Sequence, residues 1–223
     1  MTCLDTVVDP RTLASTCACG MRCPVSCWIC CVLETLAGMM GITDQRELRV
    51  VDVTYGRGGF YAACRERIGF LAGSDIVRRE HIVEPDLFVH GDSTDPGTLR
   101  RLGSGYHVLV VDPPYPSRIS LRETERIVAD NAGGVHAWRK LLSYVPVMAS
   151  KLLVTKGFIV IKGMYVHEKH RLLKESMPGY WAMRYTSLEP LTVSHLVLPG
   201  RHRLPHSPYT NNASWLLVLR MRT

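Results

Sequence analysis

No uninterrupted apolar run of membrane-spanning length occurs in this 223-residue sequence. The nearest approach, Cys23 to Gly41, covers 19 residues, contains Glu34 and leads directly into a β-branched segment, so it reads as a buried helix. The N-terminus lacks a basic region followed by an apolar stretch and a small-residue cleavage site, which predicts a cytoplasmic protein with no membrane partner. There is no internal repeat, no low-complexity tract and no break in composition to mark a second globular domain. Aromatic residues make up only 8%, yet 46% hydrophobic against 21% charged residues describes a packed globular chain rather than a disordered one.

Cysteine is nearly missing after residue 31. Only Cys64 lies beyond that point, while Cys3, Cys17, Cys19, Cys23, Cys27, Cys30 and Cys31 crowd the start. Their spacing, C-x-C-x3-C-x3-C-x2-C-C, does not form two C-x2-C knuckles separated by a loop, so the zinc signal is weaker than the count suggests: no metal is assigned, and zinc stays the lesser alternative. With a helix starting at Pro24, Cys23, Cys27, Cys30 and Cys31 recur at helical spacing, where small apolar side chains pack into a core. A disulfide near Cys17 or Cys19 stays open. The chain divides into a cysteine-containing segment, residues 1–22, and one domain, residues 23–223. Charge is unbalanced, 27 Lys+Arg against 20 Asp+Glu for a formal +7, which suits a polyanionic partner such as nucleic acid.

Strand and helix patterns alternate along the domain. A helix is expected from Cys23 to Met40, then a strand over Leu48 to Val53 that breaks at Gly56, Gly58 and Gly59. Phe70 to Asp75, Leu87 to Asp92 and His107 to Asp112 are further strands with acidic ends. A long helix over Val135 to Thr155 leads to a fifth strand, Phe158 to Gly163, and two last strands are expected at Trp181 to Leu188 and Trp215 to Arg222. This order predicts a parallel sheet with right-handed crossovers.

In such sheets ligands bind beyond the carboxyl ends of the strands, where strand order reverses. Four strands here deliver Asp to that edge: Asp52, Asp75, Asp92 and Asp112. Carboxylates there can accept hydrogen bonds from ribose hydroxyls, an ammonium or an adenine amino group. The turn from Asp52 to Phe60 lets backbone approach such a ligand closely. Its glycines do not match the dinucleotide spacing G-x-G-x-x-G, and no Lys-Ser/Thr follows for phosphate.

With Asp112-Pro113-Pro114-Tyr115 at the exit of the fourth strand, the chain resembles the amino-group methyltransferases that modify adenine N6 or cytosine N4, mostly in DNA. The resemblance runs from about Pro24 to Thr223. It implies a Rossmann-like class I methyltransferase fold, α/β, with a seven-stranded, mostly parallel sheet, helices on both faces and an antiparallel last strand. It also implies S-adenosylmethionine as cofactor, held by Asp52, Thr54, Tyr55, Gly56, Gly58 and Phe60 of the turn, by Asp75 and Asp92 with Ser93, and by the helix start at Pro24. By the same resemblance Asp112 and the Pro113 carbonyl accept hydrogen bonds from the target amino group, Pro114 stiffens the motif and Tyr115 stacks on the extruded base.

Asp in the first position of the motif favours adenine in DNA; cytosine N4 or an RNA base amino group is the alternative, and a non-catalytic nucleic-acid-binding scaffold subunit is the reading from another class. Nucleic-acid contacts are expected from Arg118, Arg201, Arg203 and Tyr209. The chain has no room for a recognition region of ordinary size, so recognition of a short site, a separate recognition subunit or a second copy supplying the missing contacts is expected.

Overall fold

The computed structural model describes residues 7–8, 24–113, 134–168, 171–172, 174–197 and 209–222. Its elements, in chain order, are β1 (Val7–Val8), α1 (Pro24–Met39), β2 (Arg49–Asp52), β3 (Phe70–Asp75), β4 (Leu87–His90), α2 (Pro96–Leu102), β5 (Tyr106–Val111), α3 (Gly134–Leu152), β6 (Leu153–Glu168), β7 (Arg171–Leu172), α4 (Pro178–Arg184), β8 (Leu188–Val197) and β9 (Tyr209–Met221). One sheet runs β4-β3-β2-β5-β6-β9-β8-β1, with β7 paired only to the end of β6. Seven of these strands form the expected frame. β2 to β6 are mutually parallel, and β9 runs antiparallel to both β6 and β8. The two-residue β1 adds itself to β8, so a piece of the segment 1–22 joins the same sheet.

The central strands are apolar without alternation because both faces are covered. Val50, Val108, Val110, Phe158, Val160, Leu216 and Val218 pack toward α1, which buries Trp28, Ile29, Val32 and Leu36. Their sequence neighbours Val51, Leu109, Val111, Ile159, Ile161, Leu217 and Leu219 pack toward α3 and α4 on the other face. At roughly 1.5–3 kcal/mol for each fully buried aliphatic side chain, these two layers dominate the stability of the sheet. No helix among the described residues is long and apolar enough to cross a membrane.

Two elements differ from the sequence expectation. Trp181 to Leu188 is not a strand: Pro178 opens α4, and β8 begins only at Leu188. Trp181 and Tyr185, four residues apart, bury one helical face, with the indole N–H donating to the Glu175 carbonyl and the phenol to the Leu142 carbonyl. The bulky, β-prone side chains imitate a strand, but their spacing is helical. The long helix α3 also stops earlier than expected, at Leu152, and β6 takes over at Leu153.

Cys27 and Cys30 of α1 are core residues, as their spacing suggests, with Cys31 partly buried against them, and two of the three are also cross-linked. Cys30, 1% exposed, is joined to Cys64, 5% exposed, with the Cα atoms 5.6 Å apart and a sequence separation of 34. Cys31 is disulfide-bonded as well. Among the described residues no three His, Cys, Asp or Glu side chains gather as a metal site. The Cys30–Cys64 bond ties α1 to the segment that follows the glycine turn, and Ser26 repeats the tie by donating to the Phe60 carbonyl and accepting the Ala63 N–H. Closing a loop of this length should stabilise the fold by about 2–4 kcal/mol. Cys64→Ala should therefore lower the unfolding free energy of the non-reduced protein by that amount in urea denaturation; coincident curves for variant and wild type would show that the bond contributes nothing.

Candidate active site

The site begins with strand register. β2 lies beside β5 with Asp52 opposite Val110, which carries the next residues of both chains to the same point on the carboxyl edge of the sheet. There Thr54 joins the two motifs. Its hydroxyl donates to Asp52 Oδ1 at 2.9 Å and accepts the Asp112 backbone N–H at 2.6 Å, a contact spanning 58 residues of sequence. The Thr54 N–H also donates to Asp52 Oδ1, and the Tyr61 hydroxyl donates to Asp52 Oδ2 at 2.8 Å.

Asp52 is thus a support beneath the turn. It is 1% exposed and each of its oxygens has a partner. Burial pushes its carboxyl up to about 7, against the lowering effect of the Thr54 and Tyr61 hydrogen bonds and with a further push from Asp112. The same burial, with the nearby Asp52 charge, pushes the Tyr61 phenol well above its ordinary range. Tyr55 also turns inward. Its hydroxyl donates to the Val83 carbonyl, its ring stacks on Tyr61 and meets Phe88 and His81 edge-on, and its backbone N–H closes on Ser74. Gly58 is required beside it: φ is +72°, and a Cβ there would stand 2.6 Å from the Tyr55 hydroxyl. Any contact between Tyr55 and a ligand is left to its backbone.

Asp75, at the end of β3, holds the turn from the opposite side by accepting the Gly56 N–H at 2.8 Å on one oxygen and the Val77 N–H at 2.9 Å on the other. Its side chain remains partly exposed, next to Ile76, which is 44% exposed. Asp92 lies past the end of β4 rather than within the strand. Burial works against ionisation, but hydrogen bonds from Thr94 and the Lys140 ammonium at 3.2 Å hold its carboxyl below the ordinary range. Ser93 is buried, its hydroxyl donating to the Val53 carbonyl at 2.6 Å and meeting Ser74, so it fastens loops together.

Asp112 follows the last residue of β5 and is partly exposed, and Pro113 is buried. Lys162, on β6, reaches the Asp112 carboxylate with its ammonium 3.2 Å from Oδ1 and 3.4 Å from Oδ2. The same ammonium lies 5.3 Å from the centre of the Phe60 ring. From the sequence alone Lys162 reads either as lining the site or as a solvated side chain. The signal was present, since a Lys directly after Phe158-Ile159-Val160-Ile161 has no apolar role. Pro24 is the first residue of α1, the helix that Ser26 fastens to Phe60. Pro114, Tyr115, Arg118, Arg201 and Arg203 lie outside the described residues. Tyr209 opens β9 opposite Val166, its backbone placed and its side chain outside the description.

No protein-family model and no curated protein matches the sequence. Among solved structures the chain is similar to an rRNA methylase from Streptococcus thermophilus, with a TM-score of 0.52 at 10% identity, covering 86% of this chain and 97% of that one. It is also similar to a SAM-dependent methyltransferase from Anabaena variabilis, with a TM-score of 0.51 at 11% identity, covering 85% and 84%. The fold is that of the class I methyltransferases. At these identities the likeness concerns the fold alone.

Asp52 gives the site a measurable signature. Its folded-state value of about 7 lies above its ordinary 3.8, so the folded protein keeps a proton that the unfolded chain releases. The stability this represents is present in full below about pH 4 and is lost as the pH rises to about 7. Urea denaturation at about pH 4 and about pH 8 should show wild type losing a few kcal/mol relative to Asp52→Asn across that window. Parallel behaviour of the two proteins would return Asp52 to an ordinary carboxyl.

Proposed function

We propose that the protein transfers a methyl group from S-adenosylmethionine to an exocyclic amino group of a nucleobase, with adenine N6 in DNA as the first choice. The observation that carries this reading is the Thr54 hydroxyl, which binds the glycine turn and the start of the Asp112-Pro113-Pro114-Tyr115 motif into one structure at the carboxyl edge between β2 and β5. Strand order reverses there, since β3 and β4 extend the sheet from β2 one way and β6 extends it from β5 the other.

The residues present fit the cofactor. Asp75 keeps lone pairs on a partly exposed carboxylate, suited to ribose hydroxyls, beside the exposed Ile76 side chain, suited to an adenine face. Asp92 is ionised and half-exposed nearby. When bound, S-adenosylmethionine supplies a methyl group on a sulfonium centre, the sulfur keeping the C–S electron pair as the methyl leaves.

The chain's part is to orient the acceptor. An exocyclic amino nitrogen shares its lone pair with the ring; hydrogen bonds from its two N–H groups to Asp112 and to the Pro113 carbonyl favour the tetrahedral geometry in which that lone pair is free. The nitrogen then forms the bond to the methyl carbon, and the proton it sheds leaves past Asp112 to water. Positioning and preorganised acceptors account for most of the rate gain in this scheme.

DNA is the proposed partner, in keeping with the formal charge of +7, with a second copy of the chain or a recognition subunit supplying sequence contacts. The same chemistry on an RNA base is the second reading, which the same formal charge suits equally.

Labelled S-adenosylmethionine offered with DNA and with RNA, followed by nucleoside mass spectrometry, tests both. N6-methyladenine in DNA is expected, with Asp112→Ala reducing transfer by at least about 10²-fold. N4-methylcytosine or an N2-methylated guanine would move the target base and leave the reaction type standing. Nucleic-acid binding without transfer would favour the scaffold reading. Asp75→Ala should weaken cofactor binding by about 10-fold or more in calorimetry, the cost of losing a charged hydrogen-bond acceptor.

A further inference from the structure

Lys162 is a charged residue where the strand pattern calls for none. Ile159, Val160 and Ile161 before it are buried in the two core layers, and Lys162 itself is 7% exposed. An ammonium so placed is costly unless it is paired. Its partner is Asp112, which the register of β5 with β6 makes its lateral neighbour, one step beyond Val111 opposite Ile161.

Three groups from two parts of the chain, the glycine turn and β6, therefore meet around Asp112. Thr54, from the glycine turn, holds the Asp112 backbone N–H; Lys162, from β6, reaches both carboxylate oxygens at 3.2 Å and 3.4 Å; Phe60, at the far end of the turn, presents its ring 5.3 Å from the ammonium. A carboxylate on a free Asp turns about two side-chain bonds. Here the backbone is fixed at one end and the oxygens are held at the other. A carboxylate offers about four lone-pair sites, more than one ammonium can fill.

We infer that Lys162 is the positioning residue of the reaction, holding the Asp112 carboxylate so that its remaining lone pairs face the amino group to be methylated. This rests on the reading of Asp112 as the acceptor of the target amino hydrogen. It adds that the working unit is a neutral Lys–Asp pair, so Asp112 acts by direction rather than as an unpaired negative charge. The Phe60 contact links the same ammonium to the turn, giving the cofactor side of the site and the acceptor side a shared part.

The test compares wild type, Lys162→Met, Lys162→Gln and Lys162→Arg in steady-state methyl transfer, with cofactor affinity and thermal melting measured on each. A misaligned acceptor costs on the order of 10–100-fold in rate. Lys162→Met should lose that factor in kcat, keep its cofactor Kd within about twofold, and Lys162→Arg should recover most of the loss by restoring a cation to the carboxylate. If Lys162→Met does not fold, Lys162→Gln, which keeps a polar donor without the charge, carries the comparison. Full kcat in a folded Lys162→Met or Lys162→Gln protein would overturn the inference, as would a loss confined to cofactor binding or to melting temperature, or a folded Lys162→Arg no better than Lys162→Met. Wild type that methylates no amino nitrogen would instead overturn the assignment of the reaction, an outcome separate from these.

Discussion

The hydroxyl of Thr54 is the point on which the site depends. A hydroxyl has one hydrogen to give, and this one is given to Asp52, leaving its lone pairs to receive the backbone N–H of Asp112. The polarity runs one way through the network only while Asp52 accepts on Oδ1. When Asp52 holds a proton, the proton belongs on Oδ2, because the Tyr61 hydroxyl beside that oxygen can turn and accept, whereas the Thr54 N–H beside Oδ1 cannot. The arrangement thus tolerates either protonation state without breaking the Thr54 bridge. That explains how a fully buried carboxyl with a strongly raised value can sit under the turn: its neighbours include one group of fixed polarity and one that reverses.

The fold was legible in the sequence because the central strands are covered on both faces and so read as continuous apolar runs, those of β2, β3 and β5 closing on or just before an acid. β2, β3 and β5 appear as Arg49–Asp52, Phe70–Asp75 and Tyr106–Val111, close to where the runs lie. The pattern failed where aromatic side chains follow helical spacing in a short element, at Trp181 and Tyr185. It also failed for the pairing of Cys30 with Cys64, since spacing within one helix says nothing about a partner 34 residues away.

Residues that motif reading groups together turn out to do different work. Within the glycine turn, Thr54 bridges, Tyr55 fills the core, Gly58 makes room for Tyr55 and Phe60 meets Lys162. Ser93 and Asp52 are spent on protein contacts, while Asp75 stays open to the crevice. A one-dimensional motif groups these positions without saying which way each side chain points. Direction into the ligand or away from it is set by cross-strand packing, which enters only with the third dimension.

The four acids at the carboxyl edge are separated in the same way by their partners. Asp52 has hydroxyls and an amide, and burial drives it toward the neutral form. Asp92 and Asp112 each face a lysine, Lys140 and Lys162, which cancels most of their charge at a distance while leaving the oxygens as local acceptors. Asp75 alone among them has only backbone amides, at Gly56 and Val77, among its described partners. The uncompensated negative charge of the crevice therefore concentrates at the end of β3, away from β5. A cationic or hydroxyl-bearing ligand is drawn to that end by field and by hydrogen bonding together. In the reaction proposed above, a base amino group would meet at the β5 end a carboxylate whose charge Lys162 balances, so selectivity there would come from the direction of its lone pairs.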